Sequence, residues 1–572
     1  MKAVCLPTSF VLALAMILMV APVNLHAQPW IQNTGQLVTQ NFYDIQRAFN
    51  NYWKNKNTKE RGKGWRPFKR WEWFWGQRVY PTGQFPNPMQ LLVESQSRVR
   101  ATGNGRLAAA NWTSMGPNDS PGGYAGLGRL NCVRVNPNNP GVVWVGSASG
   151  GLWKTTNDGA TWTSNTDELP SLGVTDIAFD PTNPNIMYMA TGDGDASDTY
   201  SVGVLKSTDG GGTWNTTGLN WVTSQVSVLC RLLIHPTNSN ILIAAGSGIH
   251  KTTNGGVSWT QVASGSFRDM EFKPGDPNTI YASGNSGRMT RSTDGGQTWS
   301  DASSGLPGSA SRLALGVSPA NPEYVYALVA ATDNGLRGVY RSTNSGDSWT
   351  ARATTPNLLG WAIDGSDQGG QGWYDLSIAV SQSNAERLYI GGVNNWKSTD
   401  GGITWTIATF WYNNGPPTAH ADQHDLFYVP GTSVLYDGND GGIYKSTDDG
   451  ATWPWLGRGL TITQFYRFGN SATNPNVMIA GAQDNGTKRL NGSTWYDALG
   501  GDGMEALVDY SDENILYGEL YYGDIYRSMN GGGSFTQITN SLPETGGWVT
   551  PYVQDPTDPG VLLAMGSGWS HS

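Results

Sequence analysis

The sequence predicts an all-β protein, a β-propeller preceded by a short and partly helical extension. Three observations lead to this: a turn motif that recurs at a steady spacing, β-rich runs ahead of each copy, and 75 Gly and 25 Trp among 572 residues. Charged residues make up only 14% and the formal net charge is −9. Nucleic acid is therefore not an expected partner, because phosphate binding needs a basic surface.

The turn motif has the pattern Ser/Thr-x-Asp/Asn-x-Gly-x-Ser/Thr-Trp/Phe. Its eight copies occupy 155–162, 207–214, 252–259, 292–299, 342–349, 398–405, 446–453 and 528–535, and a degenerate ninth ends at Trp495. Neighbouring copies end between 40 residues apart (Trp259 to Trp299) and 56 residues apart (Trp349 to Trp405). This is the spacing of four-stranded propeller blades.

The third position of the motif is Asp in four copies and Asn in four. It therefore needs a short hydrogen-bonding side chain and no charge, which predicts an acceptor for backbone N–H groups of the turn. Each copy has too few oxygen ligands for Ca²⁺. We interpret these positions as scaffold.

The number of blades is open at this point. Nine units are followed by the start of a tenth at 549–553, and the sequence stops before that unit reaches its own motif. One ten-bladed ring and two seven-bladed rings, the second incomplete, both fit. The propeller region is expected to occupy 111–572 and to be truncated at its C-terminus.

The N-terminal part has a different composition. Lys2, the apolar run 11–20 and Ala27 predict a signal peptide over 1–27, hence a secreted or cell-surface protein without a transmembrane segment in the mature chain. Within the extension, 28–110, apolar residues at helical spacing from Phe42 to Trp53 predict an amphipathic helix. The segment 61–75 interleaves basic and aromatic residues, which suits base stacking or a membrane surface, but packing on the propeller is favoured because the rest of the chain is acidic.

The repeated motif resembles the Asp-box, or BNR repeat, of sortilin-type Vps10 propellers and of family 74 glycoside hydrolases, the xyloglucanases. The resemblance covers 111–572. The Phe/Tyr-Arg-Ile-Pro tetrapeptide of sialidases is absent. The resemblance implies a glycan-directed protein and, if an enzyme, an inverting glycoside hydrolase acting on β-glucan or xyloglucan. The alternative is a non-catalytic propeller that binds an extracellular protein or peptide.

Four Asp residues in glycine-rich loops lie outside the repeated motif: Asp193, Asp440, Asp484 and Asp502. Glycoside hydrolysis needs two carboxyl groups, about 6.5–9.5 Å apart when it inverts. Asp440, Asp484 and Asp502 are the catalytic candidates, expected to meet on one face near the mouth of the central channel. Asp193 is a candidate for substrate binding, although all four also suit tight turns.

Two further groups complete the candidate site. His420, Asp422 and His424 would share one face of a strand and could bind a divalent metal or transfer protons; the alternative is a hydrogen-bond network lining the channel. No cofactor is otherwise expected. An aromatic sector suits sugar rings or, alternatively, a blade interface. Its members are Trp373, Tyr374, Trp396 and Trp411.

Overall fold

The computed structural model describes residues 41–58, 64–85, 113–120, 126–169, 171–196, 198–199, 201–221, 227–284, 287–412, 415–540 and 545–565. The predicted signal peptide, 1–27, lies outside these ranges, as do parts of the predicted extension. In the ranges described, no helix is both long and apolar enough to span a bilayer.

Two helices precede the sheets and pack on each other as a helical hairpin. They are α1 (Phe42–Trp53) and α2 (Trp65–Val79). Phe42, Phe49 and Trp53 of α1 are buried, so the helix predicted from their spacing is confirmed. The ring of Phe49 stacks on that of Phe68 with 3.5 Å between centroids. The hairpin thus has an apolar core of its own.

Antiparallel sheets follow. The first two have four strands each: β1 (Leu130–Asn136), β2 (Asn139–Ser147), β3 (Leu152–Thr155) and β4 (Thr163–Ser164), then β5 (Val174–Phe179), β6 (Met187–Thr191), β7 (Val204–Ser207) and β8 (Asn215–Thr216). The third and fourth units share one six-stranded sheet, because the last strand of the third unit continues without a break into the first strand of the fourth. Its strands are β9 (Leu229–Ile234), β10 (Leu242–Thr252), β11 (Thr260–Lys273), β12 (Asp276–Gly284), β13 (Met289–Ser292) and β14 (Ser300–Asp301).

Three more units continue the series. The fifth contains β15 (Arg312–Val317), β16 (Val325–Ala330), β17 (Leu336–Ser342) and β18 (Thr350–Ala353). The sixth contains β19 (Ser377–Val380), β20 (Leu388–Gly391), β21 (Asn395–Ser398) and β22 (Thr406–Thr409). The seventh contains β23 (Gln423–Tyr428), β24 (Leu435–Asn439) and β25 (Gly442–Ser446), with a bridge from Tyr444 to Trp455 in place of a fourth strand.

These seven units form a closed ring. Each innermost strand packs on the next, and β23 packs on β1. One contact recurs between neighbours: an Asp of one inner strand accepts a backbone N–H of the next. Asp176 accepts from Leu232 at 2.8 Å and Asp269 from Leu315 at 2.7 Å. Asp425 of the seventh unit accepts from Val133 of the first at 2.8 Å in the same way.

Three smaller sheets follow the ring. Two have four strands: β26 (Phe465–Asn470), β27 (Val477–Ala482), β28 (Thr487–Asn491) and β29 (Thr494–Leu499), then β30 (Ala506–Val508), β31 (Leu516–Leu520), β32 (Asp524–Ser528) and β33 (Thr536–Gln537), with a 3-10 turn at Tyr521–Gly523. The last pairs β34 (Tyr552–Gln554) with β35 (Leu562–Ala564). β1 thus packs on β23 of the seventh unit, and the number of blades in the whole chain stays a prediction.

The repeated motif acts as the sequence predicts. Asp294 Oδ1 accepts the backbone N–H groups of Gln297 and Thr298, both at 2.9 Å, and its Oδ2 accepts the Thr298 hydroxyl. In an Asn copy, Asn254 Oδ1 accepts the N–H of Ser258 at 3.0 Å. The interpretation of these residues as scaffold is therefore confirmed for the turns.

Candidate functional site

A cavity of about 260 Å³, called the site pocket below, lies where the hairpin, the ring and the sheets after the ring meet. The hairpin contributes Trp65, Arg66 and Arg70. The sheets after the ring contribute Gln483, Asp484, Asp502 and Tyr521. The ring contributes Arg129, Asp198, Trp361, Gln371, Trp373, Tyr374, Trp411, His420 and Asp422.

Asp484 and Asp502 meet on a single guanidinium. Arg70 Nη2 lies 2.5 Å from Asp484 Oδ1 and 2.9 Å from both carboxylate oxygens of Asp502. The backbone N–H of Asp484, a residue with φ of 55°, also donates to Asp502 Oδ1 at 2.9 Å. Since both carboxylates bind one nitrogen, their nearest oxygens are closer than the about 6.5–9.5 Å of an inverting pair. The ion pair between Arg70 and Asp484 joins the hairpin to the loop after β27, although the two residues are 414 positions apart in the sequence.

The ion pairs keep Arg70 charged. Burial alone would lower the pKa of Arg70, but Asp484 and Asp502 raise it well above its usual value. Burial raises the pKa of Asp484; Arg70 opposes this and Asp502 adds to it. Two carboxyl groups and one cation thus form an acidic wall of the pocket.

Asp440 lies directly behind this wall and does not line the cavity. It is buried, and its carboxylate accepts hydrogen bonds from the Tyr374 hydroxyl and from His424 Nε2, both at 2.8 Å. Its backbone carbonyl accepts from Asn485 Nδ2 at 2.9 Å. Asp484 and Asp502 thus line the pocket while Asp440 lies buried beside it, and a catalytic role for the three stays a prediction.

His424 and Asp193 belong to a buried network in the central channel. His424 is held between Asp440 and Asp195, whose Oδ2 is 2.9 Å from Nδ1. Burial would lower the pKa of His424, but these two carboxylates raise it to about 10, so the ring is a cation at neutral pH. Asp193 is buried and paired with Arg129 at 2.5 Å. Neither residue lines the pocket, and the geometry of His424 is that of the hydrogen-bond-network alternative.

The prediction that His420, Asp422 and His424 share a face of one strand is wrong. β23 begins at Gln423, and Asp422 has a φ of 67°, which turns the chain out of the extended conformation. His420 Nε2 instead lies 3.1 Å from the carbonyl oxygen of Asp484. Over the described part of the chain, no three His, Cys, Asp or Glu residues are grouped so as to hold a metal ion.

Asp422 is the carboxyl group on the ring side of the pocket. Its Oδ1 accepts a hydrogen bond from Gln371 Nε2 at 2.9 Å. Burial, Asp375 and Asp440 together raise its pKa well above the usual range. Burial also raises the pKa of the neighbouring Asp375, to about 7. Burial and two neighbouring acids thus favour the protonated form of Asp422, the form that can donate a proton into the pocket.

Three indole rings face the pocket from the ring: Trp361, Trp373 and Trp411. Trp411 Nε1 donates to the backbone carbonyl oxygen of Trp361 at 3.2 Å, which ties the Trp411 indole to the Trp361 backbone. Tyr374 also lines the cavity. Trp396 does not: it is 3% exposed and lies in the apolar core between two ring units. Its assignment to substrate binding is therefore corrected to the blade-interface alternative.

Sequence reasoning missed Arg70, Asp375 and Asp198. Arg70 stands in the basic and aromatic segment that the sequence does single out, but nothing local indicates its carboxylate partners. Asp375 directly follows Tyr374, so the predicted aromatic sector was the one available signal.

No family model matches the chain. It is 26% identical over 386 residues to a xyloglucanase of Hypocrea jecorina (strain QM6a), which covers 62% of this chain and 42% of that protein. It is also 26% identical over 359 residues to a xyloglucanase of a Paenibacillus species, covering 58% of this chain and 31% of that protein. A crystal structure of an ancestral GH74 enzyme superposes with a TM-score of 0.58 at 17% identity, over 80% of this chain and 68% of that one.

The chain is a GH74-like Asp-box propeller. A further solved structure, the GH74 xyloglucanase from Xanthomonas campestris, has a TM-score of 0.55 at 16% identity and covers 74% of this chain and 69% of that one. At these identities the structures support the fold alone. This GH74-like propeller spans less than half the length of the two curated relatives. Nothing in the similarities supports a protein or peptide ligand, and that alternative stays an untested prediction.

Proposed function

We propose that the protein binds a β-glucan chain of the xyloglucan type in the site pocket. The observation that carries the proposal is the lining, which combines three indole rings with several carboxyl groups. Indole faces cover the apolar faces of sugar rings, and carboxyl oxygens accept hydrogen bonds from their hydroxyl groups. The similarity to xyloglucanases supports this class of glycan.

Titration calorimetry with xyloglucan oligosaccharides tests the proposal. We expect Trp411→Ala to weaken binding about tenfold, equivalent to about 1.4 kcal/mol, because the sugar loses a stacking face. Trp411→Phe, which keeps an aromatic face, should lose less. Tyr80→Ala is the matched control, since Tyr80 is 77% exposed and lies outside the pocket. Absence of binding by the wild type to any β-glucan would contradict the proposal.

Hydrolysis is a second candidate, and Asp422 is the observation that favours it. A general acid must be protonated when it acts and must face the bond that breaks. Asp422 lines the pocket, and burial beside Asp375 and Asp440 raises its pKa. Release of reducing ends by the wild type should fall about 10²–10⁴-fold in Asp422→Asn, with oligosaccharide binding retained. The rate should also fall as pH rises through the raised pKa of Asp422. A wild type that binds but releases nothing would exclude hydrolysis and leave binding intact.

Export from the cytoplasm is part of the same proposal. It is supported by the charge at Lys2, the apolar run 11–20 and the small residue Ala27. N-terminal sequencing of the exported protein is expected to begin at Gln28. Retention of Met1 on an intracellular protein would contradict it.

A further inference from the structure

A second, larger cavity meets the site pocket at Arg70 of helix α2. This cavity, called the hairpin groove below, has a volume of about 670 Å³ and lies along the C-terminal half of the helix. Its walls include Trp73 and Phe74 of the hairpin, Trp153 of the ring and Tyr466 of β26. The groove is thus also lined by aromatic rings, on both sides.

Three residues line both cavities: Arg70, Asp198 and Gln483. They come from the hairpin, the ring and the loop after β27, so each of these three parts contributes one residue where the two cavities meet. Arg70 is the one that reaches across, because its guanidinium binds Asp484 and Asp502 on the far side. The two cavities are therefore contiguous, and the Arg70 side chain forms the partition between them.

The helix that carries this partition is anchored on both sides of Arg70. Towards the start of α2, Trp65 Nε1 donates to the Tyr522 hydroxyl at 2.6 Å and Arg66 lies over the Tyr521 ring at 4.1 Å. Towards its end, the Trp73 ring packs edge-on against Tyr466 with 5.0 Å between centroids. Both anchors lie in the sheets after the ring, so the helix is held along the cleft and not at one point.

We propose that Arg70 restricts the site pocket to the end of a glycan chain. This inference rests on the proposed function and makes a hairpin residue responsible for specificity. A glycan chain that enters the pocket meets the Arg70 guanidinium and cannot continue into the hairpin groove. Without that side chain the aromatic lining of the groove would extend the binding surface, and the interior of a polysaccharide could lie across both cavities.

The test uses the full chain and xyloglucan fractions of increasing length, with the protein bound at saturation measured per gram of polysaccharide. For the wild type the amount bound should fall in inverse proportion to chain length, because only ends are bound. For Arg70→Ala it should become independent of chain length. Arg47→Ala is the matched control, an exposed hairpin arginine whose ion pair is with Asp44 in the same helix. It should behave as the wild type does.

Removing Arg70 leaves two carboxyl groups without their cation, which destabilises a protein when the site is buried. The double variant Arg70→Ala, Asp502→Asn removes one of these charges and keeps the partition open, and Asp502→Asn alone is its control. Binding per gram that does not depend on length in the wild type, or that still falls with length in a folded double variant, would overturn the proposal. A wild type that binds short oligosaccharides no better than buffer would instead overturn the proposed function.

Discussion

At the scale of single residues, the repeated turn explains why Asp and Asn are equivalent in it. Both present one oxygen to backbone N–H groups, and the remaining atom meets a hydroxyl that can act in either role. Thr298 donates its hydroxyl to Asp294 Oδ2, whereas Ser258 accepts from Asn254 Nδ2 at 2.9 Å. Asp294→Asn should therefore leave the free energy of unfolding nearly unchanged. Asp294→Ala should cost about 1 kcal/mol, because two N–H groups lose their acceptor.

Acid unfolding separates the charge of Asp294 from its hydrogen bonds. The Thr298 hydroxyl and backbone hydrogen bonds lower the pKa of Asp294. Its contribution is thus present above the pKa of the unfolded chain, about 3.9, and is lost as pH falls through the lower folded value. We expect Asp294→Asn to remove this acid sensitivity. Equal and large losses for the Asn and Ala variants at pH 7 would contradict the hydrogen-bond role.

The repeat register also shows which residue positions could be predicted from sequence. Trp396 stands two positions before the motif serine Ser398, as Trp153 stands before Thr155 and Leu205 before Ser207. Those equivalents are buried between sheets, so the register itself assigns Trp396 to the core. Asp422 is different: its positive φ comes from the loop packed around it, and alternating residue types do not encode that conformation.

At the scale of elements, the central channel is held by a charge network that joins strands of distant units. His424 of β23 bridges Asp440, which follows β24, and Asp195, which follows β6. Its folded pKa of about 10 lies above the value of about 6.5 expected in the unfolded chain. The stabilisation is therefore complete below pH of about 6.5 and is lost as pH rises through about 10.

His424→Gln tests that link. At pH 6 we expect a loss of about 3–5 kcal/mol in the free energy of unfolding, because two buried carboxylates lose their shared cation. The difference from the wild type should shrink steadily towards pH 10, measured by urea unfolding at a series of pH values. A difference that stays constant over this range would mean that His424 acts by packing alone.

For the helical hairpin, the sequence predicts a helix but not how the hairpin docks. Helix α1 follows from the spacing of Phe42, Phe49 and Trp53, since that spacing alone creates one apolar face. The sequence also favours packing on the propeller for the segment 61–75, and Trp65 and Trp73 do contact the sheets. Most of its aromatic rings instead pack on α1. The position of Arg70 between Asp484 and Asp502 depends on how the hairpin docks on the loops that carry these two residues. A local sequence pattern does not predict that docking.

At the scale of the whole molecule, ring closure depends on the contact between the seventh unit and the first. Arg134 of β1 bonds Asp425 of β23 at 2.5 Å and Asp176 of the second unit at 2.6 Å, so its side chain spans three units. The sequence left a ten-bladed ring open because equivalent blades have equivalent patterns, and the repeat does not specify which pair of units closes it.

A double-mutant cycle measures this closing contact. Arg134→Met and Asp425→Asn should each destabilise the protein, and their combination should cost less than their sum by about 1–3 kcal/mol, because the two side chains are in direct contact. The Asn keeps an oxygen for the Val133 N–H, so the cycle isolates the charge pair. The control is Arg341 with Glu386, a pair 2.8 Å apart between the fifth and sixth units whose glutamate is 40% exposed. It should couple by at most about 1 kcal/mol. If Arg134 and Asp425 showed no coupling in urea unfolding, the first and seventh units would not be neighbours in solution, and the closed seven-unit ring would be wrong.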